Sequence, residues 1–167
     1  MGTEQGRLDC KGAPVVVRGP VLLIGYGNTL RGDDGLGPRV ADAVEAWRIP
    51  GVRCISAHQL TPEMADAVSA AGTVLFVDAA ADPALAVVTA TSVVPMGDGV
   101  GHASTPGSLL ALTLLSYGRC PPALLIALPA ERFDFGEALS AKGERSLAEA
   151  LALVRSLVEA ARARGTL

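Results

Sequence analysis

Two adjacent aspartates, Asp33 and Asp34, stand between glycines in the run Gly32-Asp-Asp-Gly35. A third, Asp78, closes the apolar run Val74-Leu-Phe-Val77, and His102 lies in a stretch punctuated by Gly97, Gly99 and Gly101. Asp34, Asp78 and His102 would together present oxygen and nitrogen donors of the kind that suit a borderline divalent metal, with coordination positions left open. The same carboxylates, held close, would suit general acid–base work on water, because like charge raises one of the two pKa values. Each residue also has a plainer use. Asp33 or Asp34 can stabilise the start of the helix that follows. Asp78 can simply end a strand, and a lone loop histidine is commonly solvated. The chemistry therefore depends on the elements that would bring these residues together.

The first aspartates follow Val21-Leu-Leu-Ile24 and the glycines Gly25 and Gly27, and precede Pro38, Val40, Val44 and Trp47. That order predicts a buried strand, a glycine loop carrying two carboxylates, and a helix starting between Asp34 and Pro38. A second strand is expected over Val52–Ala57. A helix capped by Thr61, with Pro62 first and Met64, Ala67 and Val68 inward, should follow and end at Gly72. Thr73–Asp78 reads as a strand buried on both faces. After a loop from Ala79 to Pro83, Ala86–Val94 reads as a further strand. A leucine-rich helix over Gly107–Tyr117 follows, with Ser104 and Ser108 as cap or helix-start residues. Ala123–Leu128 is another buried strand, 130–140 is irregular, and Lys142–Arg164 has the apolar spacing of a long amphipathic helix.

Strands alternating with helices predict an α/β three-layer sandwich with helices on both faces of a mixed, mainly parallel sheet of about five strands. The link after Asp78 is too short for a crossover helix, so the next strand should run the other way. In an open sheet of this kind, chemistry gathers beyond the carboxyl ends of the strands. Asp34 and Asp78 would share that edge, and the loop of His102 can fold over it. Residues 1–19 read as a loose leader and 20–167 as a single α/β domain.

Composition narrows the function classes. The 167 residues are 50% hydrophobic and 19% charged, the profile of a folded domain, and the net charge is -3. No basic cluster suggests nucleic acid, and no apolar run is long enough to span a membrane. Cys10, Cys54 and Cys120 are odd in number and widely spaced, which suits free thiols in a reducing cytoplasm rather than a zinc knuckle. Gly25-Tyr-Gly27 begins a dinucleotide fingerprint, but Leu30 stands where its third glycine belongs. There is no G-x-S-x-G elbow for a serine hydrolase. His58 reads as a strand-end residue near the site.

The run Gly25-Tyr-Gly-Asn-Thr-Leu-Arg-Gly-Asp-Asp-Gly-Leu-Gly37 resembles the opening signature of the nickel-iron hydrogenase maturation proteases. Gln59-Leu-Thr-Pro-Glu63, Phe76-Val-Asp-Ala79, His102 with Pro106, and Leu128-Pro-Ala-Glu131 are similar to later family segments in the same order. The resemblance runs from about Val21 into the last helix. It implies an endopeptidase that removes a short C-terminal extension from the large-subunit precursor of a nickel-iron hydrogenase. The cut falls just beyond the last cysteine motif, after nickel insertion, and lets the new C-terminus close the metal site. The family's metal-contacting positions fall on Asp34, Asp78 and His102. The nickel would be carried by the substrate, with no organic cofactor.

This sequence departs from the family in two places. Other members often carry Glu where Asp34 stands, which leaves open whether Asp33 shares the role. Some carry an aspartate after the second strand, where His58-Gln-Leu60 stands here. The catalytic type, aspartic or metal-assisted, stays open at this level. A non-cleaving, metal-dependent checkpoint module for the large subunit is the alternative from another class, and a nucleotide-binding α/β domain is a third.

Overall fold

The computed structural model describes residues 15–97 and 105–167. Its strands are β1 (Val21–Tyr26), β2 (Val52–Ala57), β3 (Thr73–Ala80), β4 (Thr89–Val93) and β5 (Ala123–Pro129), and they form one sheet in the order β2-β1-β3-β5-β4. The first three and β5 are parallel, and β4 is an antiparallel edge strand. The expected reversal of β4 is therefore present. Its partner is β5, which lies between it and β3.

The helices are α1 (Leu36–Glu45), α2 (Met64–Ala70), α3 (Pro106–Tyr117) and α4 (Ala141–Ala163). Side chains alternate along each central strand, so one strand feeds both layers. Leu23 of β1, Leu75 and Val77 of β3, and Ile126 and Leu128 of β5 pack with α1 and α4. Leu22 and Ile24 of β1 and Val74 and Phe76 of β3 pack with α2 and α3. This two-sided demand is why β1 and β3 read as continuous apolar runs.

Several boundaries move from their expected places, each for a local reason. α1 stops at Glu45, short of Trp47, because Arg48 takes a positive φ of 50° and Ile49 precedes a proline. Trp47 lies outside the helix with the Arg155 guanidinium 4.1 Å over its ring. Thr61 and Pro62 form a tight turn ahead of α2 rather than its first turn, and Ala65 and Val68 are the buried apolar positions, with Ala67 only half-buried. β4 is shorter than 86–94. α3 is capped by Thr105, whose hydroxyl accepts from the Ser108 N–H at 3.1 Å while the Ser108 hydroxyl accepts from the Thr105 N–H at 3.0 Å. Ser104 and residues 1–14 lie outside the described residues.

Val15 to Gly19, read as the end of a loose leader, is anchored instead. Val17 is buried in the core, and the Arg18 N–H donates to the Thr73 hydroxyl at 2.8 Å.

Candidate active site

The glycines of the first loop let main chain lie directly on main chain. A Cβ on Gly25 would overlap the Gly37 carbonyl, and one on Gly37 would overlap the carbonyls of Tyr26 and Val77. Gly27 has a φ of +140°, and a Cβ there would overlap the Asp34 carbonyl. With no side chains in the way, the 3-10 turn Gly32–Gly35 and the start of α1 seat on the carboxyl ends of β1 and β3. The sheet order reverses between these two strands, because β2 lies beyond β1 on one side and β3 adjoins it on the other. That is the switch point at which open α/β sheets place their ligands.

Asp34 and Asp78 both lie there, near enough for the charge of one to act on the other. One Asp34 carboxylate oxygen accepts from the Asn28 N–H at 2.9 Å, which fixes the side chain over the loop. Asp78 does not end its strand. β3 continues to Ala80 because it stays paired with β5 (Asp78 with Ala127, Ala80 with Pro129), whereas its ladder with β1 stops at Gly25 and Val77. Asp78 is thus the first β3 residue beyond the ladder with β1, level with Tyr26, where the two strands open. Burial, the largest cause, pushes its carboxyl up to about 6; the Tyr26 hydroxyl and the Ala79 N–H oppose the rise, and the nearby charge of Asp34 adds to it. A carboxyl of this kind is suited to exchanging a proton near neutral pH.

Tyr26 is a candidate site residue that the sequence alone does not single out. It continues the period of Leu22 and Ile24, so it projects toward the α2–α3 side, as Asp78 does after Val74 and Phe76. Its hydroxyl is a side-chain hydrogen-bond partner of the Asp78 carboxylate, and burial together with that carboxylate holds the phenol well above its ordinary range. It stays protonated and donates. Tyr26→Phe is expected to lower kcat about tenfold with KM unchanged, because a carboxylate freed of one hydrogen bond is less well aimed. A KM effect with kcat intact would contradict this positioning role.

Asp33 has a different task from its neighbour. It is 0% exposed. Its carboxylate accepts the N–H groups of Glu131 and Arg132 at 3.0 and 3.1 Å, and the N–H and hydroxyl of Ser140 at 2.8 and 2.6 Å. Burial works to raise its pKa, but these bonds outweigh it and hold the carboxyl below the usual range. Asp33 braces the 130–140 segment and the cap of α4. It has no free face to offer a ligand.

His102 lies outside the described residues. His58 follows β2 and is exposed at the same sheet edge. Among the described residues, no three His, Cys, Asp or Glu side chains converge on one point. Cys54 offers no ready nucleophile: burial first, then the carboxylates of Glu45 and Asp42, push its thiol up to about 12.

Solved structures share this architecture. The nickel-iron hydrogenase maturation protease HybD from Thermococcus kodakarensis superposes with a TM-score of 0.66 at 20% identity, over 82% of this chain and 97% of that one. The hydrogenase maturating endopeptidase HybD from E. coli gives 0.66 at 18% identity, over 83% and 92%. The hydrogenase 2 maturation peptidase from a Thaumarchaeota archaeon gives 0.61 at 21% identity, over 83% and 97%. The fold is that of the hydrogenase maturation proteases. No protein-family model and no curated protein sequence matches the chain. No helix among the described residues is long and apolar enough to cross a membrane.

Proposed function

We propose that the protein is an endopeptidase of hydrogenase maturation. It removes the C-terminal extension of a nickel-iron hydrogenase large-subunit precursor once nickel has been inserted. The observation that carries this reading is the placement of Asp34 and Asp78 together at the switch point of a maturation-protease fold, close enough to influence one another. His102 is assigned as the third contact. It precedes the Thr105 cap of α3 in the sequence, and α3 covers the sheet face toward which Asp78 projects.

In this reading the three side chains engage nickel already bound by the substrate, so only loaded precursor is positioned for cutting. The nickel would also polarise the scissile carbonyl or the attacking water. Asp78 takes a proton from that water as its oxygen attacks the carbonyl carbon. The proton then passes to the leaving nitrogen as the peptide bond breaks. Asp34 faces the nickel, and its proximity raises the proton affinity of Asp78. No Ser or Cys nucleophile is required.

The direct test is to incubate the protein with nickel-loaded precursor and follow the intact mass. Loss of a C-terminal peptide supports the peptidase, and binding with no change of mass would mark a checkpoint module instead. His102→Ala is expected to abolish processing while the melting temperature stays within about 2 °C, the pattern of a residue used for chemistry rather than for packing. Processing at the normal rate would remove His102 from the site.

A further inference from the structure

The segment 130–140 joins β5 to α4 and carries two phenylalanines with opposite fates. Phe133 is half-buried against the α1–α4 core, whereas Phe135 is 86% exposed. Leu30, in the loop after β1, is 47% exposed. The main chain sets these two apolar residues abreast. The Gly136 N–H donates to the Leu30 carbonyl at 2.8 Å, and the Gly32 N–H donates to the Gly136 carbonyl at 2.7 Å. This makes Arg31 and Gly136 a parallel bridge, and the residues preceding each partner share one side of it.

A loop free to rearrange would fold such a ring inward. This one is fixed. Asp33 holds Glu131, Arg132 and Ser140, the Arg31 guanidinium donates to the Phe133 carbonyl at 3.2 Å, and that of Arg39 donates to the Glu137 carbonyl at 2.6 Å. The exposed pair is therefore presented rigidly, which spares a partner the entropy of ordering it. The residues flanking the pair along the two segments, Arg31, Glu131, Arg132 and Asp134, are exposed and charged, as at the rim of an apolar docking centre. Leu30 also lies two residues after Asn28, whose N–H holds Asp34. The pair adjoins the candidate cleft.

We propose that Leu30 and Phe135 form a docking prong for the folded body of the nickel-loaded large-subunit precursor, seated in an apolar pocket beside its metal site. This rests on the peptidase reading above. A convex prong needs a concave partner, which a flexible C-terminal extension does not offer. Two side chains are also far less than the roughly 800 Å² per partner of a stable homodimer. Because Leu30 belongs to the same loop that holds Asp34, a substrate whose metal reaches Asp34 brings its surrounding surface close to the prong.

The test compares wild type with Phe135→Ser and with Leu30→Ser/Phe135→Ser on nickel-loaded precursor. KM should rise about tenfold in the single variant and about a hundredfold in the double, with kcat within about twofold. The melting temperature should not move, because Phe135 supports nothing beneath it. On the non-cleaving Asp78→Asn background, the affinity for precursor should fall by the same factors, which reads docking apart from chemistry. An unchanged KM in the double variant overturns the prong and leaves the peptidase standing. So does a wild-type dimer that the double variant dissociates with KM unchanged, since the occupant is then a second copy. If wild type neither cuts nor binds loaded precursor, the peptidase reading falls first and takes the prong with it.

Discussion

Asp78→Asn is expected to slow precursor processing about a thousandfold or more while leaving the fold intact, the scale of removing a general base. The amide has the shape of the carboxylate and can still accept from Tyr26. It cannot take a proton from water, and it brings no negative charge to a substrate-held nickel. Its effect on stability should have the opposite sign to its effect on rate. The folded state lifts the Asp78 carboxyl to about 6, through burial first and Asp34 second. A carboxyl raised in this way binds its proton more tightly folded than unfolded. Ionising it therefore costs stability, fully above about 6, and the cost fades as the pH falls toward the ordinary carboxyl value of 3.8. The variant should accordingly melt higher than wild type at pH 8, and the advantage should shrink toward pH 4. Intact-mass time courses and thermal melts at the two pH values measure both halves. Processing at the wild-type rate would sink the assignment of Asp78 as base.

The parts of this site that the sequence displays are those whose signal is local. β1 and β3 are buried on both faces, so each shows as an unbroken apolar run with its carboxylate just beyond or near its end. The direction of β4 follows from the shortness of the link before it. Its limits do not, because an edge strand reading Thr-Ala-Thr-Ser-Val with exposed middle residues carries little hydrophobic contrast. Tyr26 escapes notice because it sits inside a glycine run, and its role appears only when β1 is set beside β3. The distinction between Asp33 and Asp34 is equally invisible. Which one turns inward depends on the 3-10 turn and on Ser140, more than a hundred residues later in the chain. The glycines show the converse case. Their pattern hints at a phosphate cradle, but what Gly25, Gly27 and Gly37 accommodate is a neighbouring carbonyl of the same chain.

Replacing Asp33 should cost stability rather than chemistry, and by a large amount. Asp33→Asn keeps the volume but puts a donor where donors already point. Four groups converge on the carboxylate, and an amide oxygen can satisfy about half of them. Hydrogen bonds to a buried charge are worth about 1.5–3 kcal/mol each, and stranding a donor costs about as much again. A loss of about 3 kcal/mol or more in urea unfolding is the expected result. No larger residue elsewhere readily compensates, since Gly143 already gives up its Cβ to admit the Asp33 carboxylate. The pH dependence distinguishes this account from a packing defect. Because the folded state holds this carboxyl below its usual pKa, the stability it contributes is fully present above about pH 4 and drains away as the pH falls through the lower folded value. Wild type and Asp33→Asn should therefore differ most at neutral pH and converge in acid. A gap that stays constant down to pH 3 would mean that the loss is steric, and that the charge of Asp33 does not hold the loop bearing Phe135 against the start of α4.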